Sequence, residues 1–156
     1  MQEKKASEAL LAAVREARSL RTKLDSLDDQ VSAVLQKIEA ELRDLSLGVA
    51  IRTNVGGYFD PNCGFEQVEV LSFEKLAGEW RLVFGSGVED QENLWTDTPL
   101  SDCNRDLRAR MLAMGHVADL VLGAARAMEE RIGDRKRALQ SGASVLLALS
   151  EVGADK

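Results

Sequence analysis

Leu10, Ala13, Ala17, Leu20, Leu24, Leu27, Val31, Val34 and Ile38 follow one another at alternating steps of three and four residues. A spacing that averages 3.5 keeps all of these side chains on one narrow seam of an α-helix. Sustained for about four heptads, it is the pattern of a coiled-coil helix rather than the broader stripe of an ordinary surface helix. The surrounding residues agree. Glu3 to Leu45 contains no Gly or Pro and is rich in Ala, Leu, Glu, Arg and Lys, which all favour helix. One helix over 3–45 is expected, about 65 Å long at a rise of 1.5 Å per residue. Glu39 and Arg43 add an i,i+4 pair worth on the order of a few tenths of a kcal/mol. At Glu41 the seam loses its apolar residue and Leu42 takes over. There the helix is expected to leave a long partner and dock on something else.

A second seam runs through Leu107, Met111, Met114, Ala118, Val121, Ala125, Met128 and Ile132 and continues, past Arg135, to Leu139, Gly142, Leu146 and Leu149. It predicts a helical segment over 101–152, started by Thr98-Pro99 or Ser101-Asp102, because Ser or Thr suits a cap and Pro suits the first helical position. Gly115, Gly123 and Gly133 read as tolerated helix glycines, each costing up to about 1 kcal/mol. Ser141-Gly142-Ala143-Ser144 is the expected break.

Between the two seams the period changes from 3.5 to two. Leu47, Val49, Ile51, Thr53 and Val55 alternate with Gly48, Ala50, Arg52 and Asn54, and Trp80, Leu82 and Phe84 alternate again later. FEQVEVLSFEKL lies between them. Gly56 to Gly64 reads as a loop, Ala77-Gly78 as a tight hairpin turn, and 86–100 as an acidic loop around Leu94 and Trp95. The expected fold is α+β: a long N-terminal helix (3–45), a three-stranded antiparallel sheet in a β segment over 47–85, and a long C-terminal helix, with heptad-patterned pairing of the helices. The chain of 156 residues reads as a single elongated domain.

An isolated helix with such a seam is unstable in water and must cover it. The seams can meet as an antiparallel hairpin within one chain, or each can meet its copy in a second chain. Leu11, Val14 and Leu35 on the first helix, with Leu112, Val117 and Leu122 on the second, widen the apolar faces beyond what one neighbour covers. That favours self-association into a homodimer.

Charge is unevenly placed. The formal net charge is -6, and nearly all of it lies in residues 46–100, which hold three basic and nine acidic side chains. Such a segment repels phosphate backbones and steers basic partners. The compact basic cluster is Arg131, Arg135, Lys136 and Arg137, with Arg126 upstream. No apolar signal core opens the chain, and the uncharged stretch 138–150 is too short and polar to span a bilayer. A cytoplasmic protein with no membrane partner is expected. Cys63 and Cys103 read as reduced thiols rather than a disulfide scaffold.

No catalytic, cofactor or metal motif emerges. His116, the one histidine, has no nucleophile near it, although Asp119 lies three residues on. Cys63 has no adjacent base. Gly85-Ser86-Gly87 leads into an acidic loop rather than a phosphate-binding helix, and Glu66, Glu69 and Glu74 match no calcium loop. All aromatics fall between residues 56 and 95.

The order helix, three strands, helix is similar to that of a family of small nucleoid-associated DNA-binding proteins. A long helical hairpin joined by β structure resembles prefoldin-like chaperone subunits. Both likenesses are of outline and transfer no residue, and the acid-rich β region and longer helices depart from the first. The function expected from the residues is that of a non-enzymatic, dimeric interaction, adaptor or chaperone-like protein. Its acidic β head would hold a protein partner through Tyr58, Phe59, Glu89, Asp90, Glu92, Trp95 and Asp97. One alternative is a nucleic-acid-associated dimer with Arg126, Arg131, Arg135, Lys136 and Arg137 on phosphate. A second is an enzyme with a site assembled in space.

Overall fold

The computed structural model describes residues 2–62, 64–88 and 91–154, with the side chains of 6–62, 64–88 and 91–151. The glycine-free start folds as one helix, α1 (Gln2–Asp44). It ends where Ser46 and Gly48 take φ of 48° and 70°, a region through which a right-handed helix cannot continue. Four strands follow: β1 (Ile51–Asp60), β2 (Phe65–Leu76), β3 (Glu79–Gly87) and β4 (Trp95–Pro99). They form one antiparallel sheet in the order β1-β2-β3-β4. Two helices close the chain, α2 (Arg105–Ala113) and α3 (His116–Ala154). The class is α+β with long terminal helices, as the two periodicities require.

The sheet differs from the sequence reading at three points. First, it has four strands, because Trp95–Pro99, read as part of an acidic loop over 86–100, pairs with β3. Second, the expected loop over 56–64 shrinks to 61–64. Gly56 and Gly57 stay in β1, which a bulge at Val55 carries on to Asp60. A Cβ on Gly57 would lie 2.7 Å from the Gln67 carbonyl oxygen, so this glycine allows close strand approach rather than a turn. Third, β3 runs on to Gly87, past the expected end of the β segment at 85, and only glycine fits there, with φ +150° and a Cβ that would overlap the Leu94 carbonyl oxygen. Ala77-Gly78 forms the expected two-residue hairpin, with φ of 50° and 91°.

The C-terminal helical segment is also corrected. Its cap is Asn104, whose side chain accepts the Leu107 N–H at 2.8 Å. It breaks at Gly115 (φ 79°), where α2 and α3 meet at a 59° bend. It does not break at Ser141–Ser144, where α3 is continuous. Gly123 is a close-approach position, since its Cβ would come within 2.9 Å of Ile51 Cγ2.

All three helices lie on one side of the sheet. Leu35 and Leu42 of α1, Leu100, Met111 of α2, and Val117, Leu120 and Ala124 of α3 close over Ile51, Leu71, Phe73 and Leu82. Each of these Leu, Ile, Val, Phe and Met side chains contributes on the order of 1.5–3 kcal/mol when fully removed from water, and Ala124 less. The stripe of α3 that packs is 117, 120 and 124, one position before the heptad seam read from sequence. Seam residues Ala118, Val121, Ala125 and Ile132 face solvent instead.

Successive residues of α1 meet successively later residues of α2 and α3. Asp25 accepts from Arg105 at 2.7 Å, Leu42 shares a groove with Val121, and the Ser46 carbonyl accepts from Arg131 at 3.0 Å. The two tracks therefore run in the same direction, and the antiparallel hairpin does not form within the chain. Residues 6–24 of α1 extend from one end of the body and 134–151 of α3 from the other, exposed throughout. No single helix among the described residues is long and apolar enough to cross a membrane.

Candidate protein-binding face of the sheet

Directly opposed residues of antiparallel strands share a face. The register stacks three rows on the side away from the helices. The first is Arg52, Ser72, Val83 and Pro99. The second is Asn54, Val70, Gly85 and Asp97, and the third is Gly57, Val68, Gly87 and Trp95. Among the described residues no helix covers this face, although Ser72, Val70 and Val83 are buried by their neighbours within it. Trp95 instead folds back over the second row. A Cβ on Gly85 would lie 2.6 Å from Trp95 Cζ2 and 2.8 Å from Asp97 Oδ1. The indole therefore rests on the bare backbone of Gly85 while its Nε1–H donates to Asp97 Oδ1 at 2.8 Å.

Beside the indole lies an open groove of about 760 Å³, lined by Arg52, Asn54, Val68, Val70, Val88, Gln91, Glu92, Trp95 and Asp97. Its floor is valine and its rim is polar. Arg52 donates to Glu74 Oε2 at 2.8 Å. That carboxylate, with its side chain only 13% exposed, is the main cause that raises the Arg52 guanidinium above its ordinary value, so the cation stays fixed at the rim. At the same end of the sheet the β1–β2 hairpin runs on past β3, whose pairing with β2 stops at Val68. Its tip presents Tyr58, Phe59 and Phe65, which are 59%, 64% and 45% exposed. Asp60 shapes the turn by accepting the Asn62 N–H at 2.8 Å.

The structure thus brings Glu92, Trp95 and Asp97 into one groove and places Tyr58 and Phe59 at its end of the sheet, on strand rather than loop, with Phe59 on the groove's face and Tyr58, like Phe65, on the opposite one. Glu89 and Asp90 lie outside the described residues, as does Cys63. Arg52, Asn54, Val68, Val70 and Phe65 were not among the sequence candidates. The alternation in β1 already put Arg52 and Asn54 on one face, but only the register shows that Trp95 and Asp97 join them.

The basic residues of α3 are divided. Arg131 donates to the carbonyls of Ser46 and Leu47, and Arg137 pairs with Asp134. Arg126, Arg135 and Lys136 are exposed and make no ion pair among the described residues. His116 opens α3 with Nε2 buried and without a hydrogen-bond partner among the described residues. Burial pushes the half-buried Cys103 thiol up, and Asp102 adds to the shift. Glu66 and Glu74 fall on the opposite side of β2 from Glu69, and the described residues contain no group of three or more His, Cys, Asp or Glu side chains placed to hold a metal ion. Comparison with family models, curated proteins and solved structures returned no match to this chain.

Proposed function

We propose that this is a non-enzymatic, dimeric interaction protein, adaptor- or chaperone-like, that holds a basic, partly apolar segment of another protein on its acidic β head. The observation that carries the reading is the uncovered sheet face, where a valine-floored groove rimmed by Glu92, Asp97 and Trp95 adjoins an exposed aromatic hairpin tip. Apolar floor, polar rim and available aromatics are the anatomy of a protein-recognition surface. The helices supply self-association and a rigid mount. The surplus of acid around the head favours a basic partner mainly through association rate and selectivity.

The test is an NMR titration of the full-length protein with peptides rich in Lys and Arg that carry one or two aromatics, with short duplex DNA as the competing ligand. The expected result is a shift of the Trp95 indole and Arg52 side-chain signals by peptide and not by DNA. Glu92→Gln with Asp97→Asn should weaken the peptide several-fold, because the amide still accepts from the indole but the charge is gone. Peptides that leave this face unmoved overturn the proposal. So does DNA that shifts α3 around Arg135 with a steep loss on added salt.

A further inference from the structure

We infer that residues 10–27 of α1 pair, in parallel and in register, with the same segment of a second copy of this chain. The inference rests on the self-association part of the proposed function and adds which surface is used and in which direction. On the heptad of α1, Leu10 and Leu24 occupy a positions and Leu20 and Leu27 occupy d positions. Between 53% and 67% of each is exposed, although this seam is the most regular feature of the chain. The helix begins to pack on the rest of its own chain only from Asp25, which meets Arg105 of α2, and Val31 onward, through the neighbouring e, a and b positions.

The strip does not stop at the arm. It passes Val34 to Leu45, which lines one groove with Val121 and another with Met128, Ile132 and Leu139. Ten exposed Leu, Ile and Val side chains lie on the two seams, five on α1 and five on α3, with Met114 in addition. At roughly 60 Å² of removable apolar surface for each half-exposed Leu, Ile or Val, they supply about 600 Å² per chain. Two copies joined along the whole strip, α3 seams included, then bury about 1,200 Å², the lower bound of a stable, specific interface, of which residues 10–27 supply about 480 Å².

Charge selects the partner and the direction. In a parallel pair each g position faces the e position of the following heptad on the other helix. Glu16 then meets Arg21 of the second copy, and Lys23 meets Asp28 of the second copy. The two-fold axis doubles both, which gives four attractive contacts along α1. Farther along the strip the same rule sets Arg131 toward Lys136 of the second copy, but Arg131 is held back on the carbonyls of Ser46 and Leu47. The Glu16–Arg21 and Lys23–Asp28 contacts both compete with pairs inside each chain, since Arg21 already donates to Asp25 at 3.2 Å and Asp28 leans toward Arg105 at 3.5 Å. An antiparallel α1 pair in the register that opposes Leu10 to Leu27 offers only Glu16 against Lys23, twice. Pairing α1 with α3 of the second copy, with Leu20 against Leu139, sets Arg21 beside Lys136 and is repelled.

Charge swaps on the full-length protein, read by light scattering and sedimentation over a concentration series, test this. Wild type should be a dimer. Glu16→Lys should raise its dissociation constant about tenfold, since two attractive contacts become repulsive at a few tenths of a kcal/mol each way. Adding Arg21→Glu to Glu16→Lys should return it to within about threefold of wild type. All three positions are exposed, and unchanged helicity by circular dichroism checks the fold. A monomer at every concentration overturns this inference together with the self-association reading. A dimer that ignores Glu16→Lys, or that is rescued by Lys23→Glu in place of Arg21→Glu, overturns the parallel pairing alone.

Discussion

Glu39 does two jobs at the point where β4 runs out, and its replacement gives a quantitative check on how α1 is fastened to the sheet. The β3–β4 pairing ends at Val83 and Pro99. Beyond it, the Leu82 N–H donates to Glu39 Oε2 at 2.8 Å, and Arg43 reaches the Trp80 carbonyl at 3.4 Å. Glu39 Oε1 also accepts from Arg43 at 3.0 Å. Two side chains of α1 thus take the place of a missing strand. Glu39→Ala removes a charged acceptor from a part-buried amide, a loss of about 1.5–3 kcal/mol. It also removes an ion pair that is half exposed on the arginine side, worth at most about 0.5 kcal/mol. A neighbouring cavity of about 50 Å³, lined by Ser32, Leu35, Gln36, Glu39, Leu82, Leu100, Ser101 and Arg108, has room for water that can reach the freed N–H. The expected loss is therefore about 2 kcal/mol. Glu39→Gln keeps an acceptor for Leu82 and should lose only about 0.5–1 kcal/mol. Urea unfolding at fixed protein concentration measures both, and the alanine variant should shift its midpoint by about 1 M at an m-value near 2 kcal/mol/M. Alanine and glutamine variants within about 0.5 kcal/mol of each other would refute the account of Glu39 as an edge cap.

Gly85→Val should lift the Trp95 indole off the sheet, because even a Cβ there would meet Cζ2 at 2.6 Å. The expected signs are a red-shifted tryptophan fluorescence and loss of the indole–Asp97 hydrogen bond by NMR, and an unchanged spectrum would count against the stacked geometry. Cys103 should react slowly with thiol reagents in native protein, and faster in urea, because burial raises its thiol. The folded state then holds its proton where the unfolded chain has lost it. Stability is constant below the unfolded thiol value and declines as pH rises through the window up to the raised folded one; a stability flat through that alkaline window contradicts the shift.

The long first helix was legible because nothing in residues 3–45 competes with it: one period, good helix formers, and no glycine until Gly48. Ala77-Gly78 was equally plain, since two strand-patterned runs separated by two residues leave little else. The second helix was harder for a physical reason. Val117, Leu120 and Ala124 form one apolar stripe, and Ala118, Val121 and Ala125 form another beside it. Only the presence of a sheet decides which is buried. Gly115 and Gly142 look alike locally. The chain breaks at Gly115 because α3 must turn there to cross Ile51, a demand that no local pattern expresses. Trp95–Pro99 hid as a loop because its alternation is polar on both sides, and the tryptophan covers a glycine ten residues away. The candidate face was half legible for the same cause. Trp95, Asp97 and Glu92 stood out by type, whereas Arg52, Asn54 and the valine floor exist as a site only after the strands take their register.

The two helical tracks run the same way, so their free arms leave at opposite poles of the body. A molecule with a sticky pole at each end is a bifunctional monomer in the polymer sense. Engaging a different neighbour at each pole propagates a linear filament without limit, whereas engaging one neighbour at both terminates growth at two. Leu45 lines one groove with Ile38 of the first seam and another with Ile132 and Leu139 of the second, and under the pairing inferred above a single mate lying along that strip satisfies both poles together. Stoichiometry is thus governed by the straightness of that strip. Rotating one arm about its axis, as inserting a single residue near Gly133 would do, should convert a closed pair into an open-ended chain.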